Sequence, residues 1–212
     1  MKPELGGKVL FAALVATVVV GSMVSGVAVA EELSPWMVRV RLLDVVTERN
    51  NTAGGGIGAD TLKVSDQAQP EVDVTYFFTK NIAAELVATY PVSHSINLSG
   101  ADIGGLKELP PTLNLQYHFD PLGNAIPYIG AGMTYMRTWD SRAAGGALTT
   151  SQSNWGGDLQ IGMDYAIDQH WSFNVDVKKV WISTDVQTPG GSSVVTANIN
   201  PLLAGVGVGY HF

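Results

Sequence analysis

The chain has 212 residues, with 12 Lys and Arg against 19 Asp and Glu, a formal net charge of −7, and no cysteine. Mild acidity without a basic patch argues against a nucleic-acid partner. Without cysteine there are no disulfides, thiolate metal sites or thiol nucleophiles.

The amino terminus reads as an export signal. Lys2 and Lys8 give a positive start, Val9 to Ala30 carry no charge, and Ala28-Val29-Ala30 before Glu31-Glu32 has the form of a cleavage site. The competing reading is an anchoring transmembrane helix. Gly21, Ser22, Ser25 and Gly26 break the apolar run and favour cleavage. The expectation is a cleaved signal peptide over 1–30 and one domain over 31–212, which then carries −8. After Ala30 no stretch is long and apolar enough for a spanning helix, so a membrane location requires a closed barrel.

Eight segments alternate with the period of a strand. Trp36–Val45 sets Trp36, Val38, Val40 and Leu42 against Arg39 and Arg41. Glu71–Phe78 sets Val72, Val74, Tyr76 and Phe78 against Glu71, Asp73 and Thr75. Ile82–Tyr90 sets Leu86, Ala88 and Tyr90 against Glu85, Val87 and Thr89. Thr112–Phe119 sets Leu113, Leu115, Tyr117 and Phe119 against Asn114, Gln116 and His118. Ile126–Arg137 sets Ile129, Ala131, Met133 and Tyr135 against Tyr128, Gly130, Gly132 and Thr134. Trp155–Ile167 sets Leu159, Ile161, Met163 and Tyr165 against Asp158, Gln160, Gly162 and Asp164. Trp171–Ile182 sets Phe173, Val175 and Val177 against Asn174, Asp176 and Lys178. The last strand, Leu202–Phe212, sets Leu202, Ala204, Val206, Val208, Tyr210 and Phe212 against Leu203, Gly205, Gly207, Gly209 and His211.

Connections alternate between short (79–81, 120–125, 168–170) and long (46–70, 91–111, 138–154, 183–198). Short periplasmic turns and long outer loops characterise an up-and-down outer-membrane barrel. A soluble barrel of lipocalin type has the same alternation with the faces inverted. Its exposed face should be dense in Lys and Glu, whereas the polar face here is mostly Gly, Asn, Gln and Thr with scattered carboxylates. Aromatics on the apolar face cluster near strand ends, as interfacial girdles do. The expected fold is therefore all-β: an eight-stranded antiparallel up-and-down transmembrane β-barrel.

Several segments, in order, resemble the OmpW/AlkL family of small outer-membrane barrels. They are Asn81 to Pro91 (NIAAELVATYP), Leu109-Pro110-Pro111-Thr112-Leu113, Pro127 to Gly132 (PYIGAG), Gly162-Met163-Asp164-Tyr165 and Tyr210-His211-Phe212. The resemblance runs from about Trp36 to Phe212. It implies a monomeric barrel in the bacterial outer membrane, surrounded by lipid and lipopolysaccharide, with a narrow and largely apolar passage. It also implies uptake of small hydrophobic solutes, released sideways through the barrel wall. The terminal aromatic Phe212 implies recognition by the barrel-assembly machinery. Gly54-Gly55-Gly56-Ile57-Gly58 in the first long loop departs from the pattern, as do 138–154 and 183–198, so substrate identity does not carry over.

A sideways exit needs a strand interrupted near its outer end, and proline donates no ladder hydrogen bond. Pro110 and Pro111, with Pro91 on the paired strand, either supply that interruption or simply end their strands. Candidate passage residues are Val87, Leu106, Leu109 and Trp155. Parity puts Trp155 outward in a girdle unless a bulge at Gly156-Gly157 turns it inward. Deeper in the lumen, Arg39, Arg41, Glu71, Asp73, Glu85, Asp158, Asp164, Asp176 and Lys178 read as an ion-pair plug. The sharper alternative is a polar ion path, which would need unpaired charges.

No chemistry is expected. His94, His118, His170 and His211 lack metal-ligand spacing and are scattered between the two barrel ends. His94 with Ser93, Ser95 or Ser99 is the one local acyltransferase candidate, and it reads as a solvated loop. Gly54–Gly58 lacks a following helix for phosphate. No catalytic residue, metal or cofactor is expected. The function expected is passive uptake of small hydrophobic molecules; the alternative is a non-transporting barrel for adhesion, envelope stability or reception.

Overall fold

Alternation with period two becomes a two-sided wall once strands pair. In a computed structural model, residues 33–212 are described except 47–49, 52–61, 65–66, 90–91, 99–100, 144–145 and 189. Eight strands form the wall: β1 (Trp36–Val46), β2 (Gln67–Phe77), β3 (Ile82–Thr89) and β4 (Thr112–His118), then β5 (Ala125–Ala143), β6 (Ser153–Ala166), β7 (Trp171–Trp181) and β8 (Leu202–His211). Each pairs antiparallel with its neighbours in sequence. β1 pairs with β8 from Met37↔His211 to Val46↔Leu202, and this closes the ring. A barrel of eight strands has room inside for side chains but not for a wide water channel.

The faces sort by polarity as parity requires. Leu42, Leu86, Leu113, Leu115, Ile129 and Ile161 are exposed on the outside. Arg39, Asp73, Glu85, Asn114, Gln116 and Asn174 are buried on the inside. A soluble protein would pay heavily for that arrangement; in hydrocarbon it is the favoured one. Outward aromatics meet edge to face at the turn end, with ring centroids 4.7 Å apart for Trp36–Tyr76, 4.9 Å for Trp171–Tyr210 and 5.0 Å for Tyr210–Phe212. At the opposite end Trp155 packs on Tyr135 at 4.7 Å, and Trp181 is exposed. Trp171 and Trp181 bracket β7, and ten tilted residues rise about 25 Å, the height of an outer-membrane apolar band.

The long connections are more ordered than loop lengths alone suggest. Val92–Leu98 and Ala101–Leu109 form a hairpin, and its second strand pairs with the outer end of β5 (Lys107↔Trp139, Leu109↔Arg137). That pairing explains why β5 runs six residues beyond its expected end at Arg137. A second hairpin, Ser183–Gln187 with Ser193–Asn198, is flanked by Thr149–Thr150 and Asn50–Asn51 in a four-stranded outer sheet. Asn200 pins it to the wall. At φ 32° Asn200 turns the chain, its Oδ1 accepts the Ile182 N–H at 2.9 Å, and its carbonyl accepts Lys179 Nζ at 2.6 Å.

Candidate functional site

Three inward cations and six inward carboxylates meet in the middle of the lumen. Arg39 binds Asp164 with both arms of its guanidinium, Nε to Oδ1 at 3.1 Å and Nη2 to Oδ2 at 2.7 Å, and reaches Asp73 at 3.2 Å. Arg41 Nη2 lies 2.7 Å from Glu71 Oε1 and 2.9 Å from both Asp73 Oδ2 and Glu85 Oε1. Its Nη1 is 3.6 Å from Asp176, which also accepts the Tyr128 hydroxyl at 2.8 Å. Lys178 stands 3.8 Å from Glu85, and Asn114 donates to the same carboxylate at 2.7 Å. These groups come from β1, β2, β3, β4, β5, β6 and β7, so the network spans the lumen from wall to wall. A close approach at β6 makes room for it: a Cβ at Gly162 would overlap the Tyr128 phenol and come within 2.9 Å of Asp176 Oδ2.

The periplasmic end is closed as well. Phe77 turns inward and packs on His118 at 4.9 Å and on His211 at 5.3 Å; His118 in turn stacks on Tyr128 at 4.9 Å. The Arg39 guanidinium covers the other part of that ring, 5.4 Å from its centroid. His170 is also at this end, its Nδ1 2.7 Å from the His211 carbonyl. Three of the four histidines thus gather at the turn end, while His94 belongs to the outer hairpin, so the four are divided between the two barrel ends as expected. The side chain of His94 lies outside the described residues.

Above the network the lumen changes character. A cavity of about 60 Å³ is lined on one side by Val45, Val87, Met136, Val180, Ile182 and Leu203. Met136, Val180, Ile182 and Ile199 form a packed apolar cluster with Leu203 against it. Its floor is Glu71, Thr112, Thr134 and Lys178, and its remaining side includes Gln69, Thr89 and Pro110.

The wall beside that cavity is interrupted. Among the described residues, β3 and β4 pair up to Val87↔Thr112, and pairing resumes only at Val92↔Glu108 in the outer hairpin. Pro110 and Pro111 occupy the break, and neither has an N–H to give to β3. The other flank of β4 stays intact, with Tyr135 N–H donating to the Pro111 carbonyl at 2.9 Å. On the other flank of β3 the β2–β3 ladder runs to Glu71↔Thr89, and Val64↔Ile96 farther out keeps the same register. The interruption therefore lies on the β4 side of β3.

Of the residues singled out in the sequence, Val87 lines the cavity. Leu109 is half-buried, and it is the adjacent Pro110 that reaches the cavity. Trp155 does not line the lumen: it is 67% exposed and faces outward. The β5–β6 register runs unbroken from Ser153↔Arg137 to Tyr165↔Ala125, so no bulge at Gly156-Gly157 turns it. The side chain of Leu106 and the whole of Pro91 lie outside the described residues. Of the nine charged residues, Asp158 differs from the rest. It is inward and 4% exposed, yet among the described residues it forms no ion pair within 4 Å; Thr134 Oγ1 approaches at 3.5 Å, and Lys178 acts on it only at longer range. The apolar lining residues Val45, Met136, Val180 and Ile182 went unremarked in the sequence, and Leu203 was placed inward but not linked to a passage. Their signal was there, because each continues the inward parity of its own strand beyond the charged positions.

Comparisons with known proteins agree with this architecture. Residues 7–212 match the model of the OmpW family. An uncharacterized outer-membrane protein of Sinorhizobium fredii is 43% identical over 190 residues, covering 87% of this chain and 82% of its own. Outer membrane protein W of Escherichia coli K12 is 30% identical over 209 residues, covering 93% of this chain and 98% of its own. The dibenzothiophene metabolism operon protein PahQ of Pseudomonas aeruginosa is 26% identical over 192 residues, covering 86% and 90%. Among solved structures, the outer membrane protein OprG of Pseudomonas aeruginosa superposes with a TM-score of 0.68 at 24% identity, covering 87% of this chain and 99% of its own. The chain is an outer-membrane β-barrel and belongs to the OmpW family.

Proposed function

We propose that the barrel is a passive channel that takes small hydrophobic molecules from outside the cell and releases them sideways into the outer-membrane lipid. One observation carries this reading: the apolar cavity has a charged floor beneath it and an interrupted wall beside it. A hydrophobic solute cannot continue downward, because it would have to displace paired ions that it cannot replace. It can move outward into hydrocarbon, where each buried methylene favours lipid by roughly 0.8 kcal/mol. Pro110 and Pro111 are the hinge points of that exit. The name of the relative from a dibenzothiophene metabolism operon supports an apolar solute. In this reading residues 1–30 are an export signal that is removed, the strand ending at Phe212 engages the assembly machinery, and the barrel works as a monomer among lipid and lipopolysaccharide.

The test is uptake of alkanes and terpenes by cells with and without the gene, and with Pro110→Ala/Pro111→Ala. The wild-type gene should speed uptake, and the proline variant should lose most of the gain while still reaching the membrane folded. Uptake that is indifferent to the gene would overturn the channel. The outer sheet would then be the working surface of an adhesion, stability or receptor role.

A further inference from the structure

We infer that the cavity is built for a solute with a neutral hydroxyl at one end, such as an alcohol or a phenol, in preference to a plain hydrocarbon. The inference rests on the channel reading and adds the chemistry of its solute.

Two polar side chains of the cavity wall are left without partners. Gln69 on β2 and Thr89 on β3 both point inward and are each about nine-tenths buried. Gln69 Oε1 and Thr89 Oγ1 make no hydrogen bond among the described residues. Both residues line the cavity, and Thr89 stands beside the break in the β3–β4 ladder. Glu71 faces Thr89 across the two strands, so Gln69 is the diagonal neighbour of Thr89 on the same face. The rest of the floor is engaged: Thr112 and Thr134 share a 2.8 Å hydrogen bond, Glu71 is held by Arg41 at 2.7 Å, and Lys178 faces Glu85 at 3.8 Å. Across the cavity, Met136, Val180, Ile182 and Leu203 offer no strong polar group.

Buried polar groups normally find partners, and a pair that does not is a place for one to arrive. The Gln69 carbonyl needs a donor, whereas the Thr89 hydroxyl gives one hydrogen bond and takes another. A hydroxyl supplies both roles and brings no charge to desolvate. A carboxylate would add to a lumen where six carboxylates already face three cations. An ammonium would meet the like charge of Lys178 on the cavity floor, and Glu71, the carboxylate in the lining, is held by Arg41. The apolar side then takes the solute's carbon chain. A space of about 60 Å³ admits the head group and the first carbons, with the remainder trailing through the break in the wall.

The experiment compares uptake of 1-octanol, octane, octylamine and octanoate by cells carrying no protein, the wild type, Gln69→Leu or Thr89→Val. Heat-dependent gel mobility confirms that each variant is folded; Thr89→Val is nearly isosteric. The wild type should favour octanol over octane by about fivefold beyond the protein-free ratio, the usual worth of one hydrogen bond. Either substitution should bring that ratio back toward the protein-free value. Equal handling of octanol and octane by the wild type overturns the inference and leaves the channel standing. So does a preference that survives both substitutions, or one that favours the amine or the acid. If the protein speeds none of the four probes, the channel reading itself falls.

Discussion

Replacing Arg41 by methionine removes the cation on which the lumen network turns. Its Nη2 serves Glu71, Asp73 and Glu85 at 2.7–2.9 Å, and these groups are almost fully buried. Asp73 keeps Arg39 at 3.2 Å, and Glu85 keeps Lys178 at 3.8 Å, but Glu71 loses its one ion pair within 4 Å among the described residues and keeps Lys178 only at longer range. Stranding one partner of a buried pair costs about 3–5 kcal/mol, roughly two to three and a half decades in the folded-to-unfolded ratio. Methionine keeps much of the volume, so the loss is electrostatic and not a cavity effect. The assay is urea unfolding of protein folded into lipid vesicles, followed by tryptophan fluorescence and by heat-dependent gel mobility. Arg41 and Glu71 are cross-strand partners, so the double variant Arg41→Met/Glu71→Leu should recover a large part of the loss. The exposed pair Lys80–Asp120, at 3.2 Å, is the control, and Lys80→Ala should change nothing measurable. A single-variant loss under about 1 kcal/mol, or a double variant no better than the single, would refute the argument.

Three further outcomes follow from the geometry. Gly162→Val should cost about 1–3 kcal/mol or more by forcing Tyr128 away from Asp176; an unchanged urea midpoint would show that the ring has another place to go. Ile182→Trp should fill the cavity and abolish solute uptake while leaving the protein folded, since Ile182 lies at the outer end, above the charged network. Normal uptake by that variant would put the passage elsewhere. In the turn after β6, Asp168 accepts the N–H groups of Trp171 at 2.7 Å and His170 at 2.8 Å, which hold its carboxyl below the usual carboxylate range. The folded form thus favours the ionised group, so its stabilisation is present above about pH 4 and is lost as pH falls below it. Amide protection at His170 and Trp171 should drop on acidification and stay flat in Asp168→Asn.

Much of the site was legible because a strand writes both of its faces into the sequence. Arg39, Arg41, Asp73 and Glu85 alternate with Val38, Val40, Val74 and Leu86, and that suffices to place the charges inside. Parity also told which way Trp155 faces; only the possibility of a bulge obscured it. The apolar cavity was harder to see because its residues are spread over seven strands. Met136, Val180 and Ile182 look like ordinary aliphatics until the barrel closes. Pairing partners in the network were beyond reach for the same reason: Arg39 and Asp164 are 125 positions apart.

By itself, the sequence determined the eight strands, which face meets lipid, and which connections are short. These are local matters, fixed by alternation, turn residues and the aromatics at strand ends. Only the tertiary structure decided that the lower lumen is sealed by paired ions and stacked rings, that an apolar cavity lies above it, and that the β3–β4 ladder stops beside that cavity. Those depend on register between strands distant in the chain, and register is a property of the closed barrel, not of any single strand.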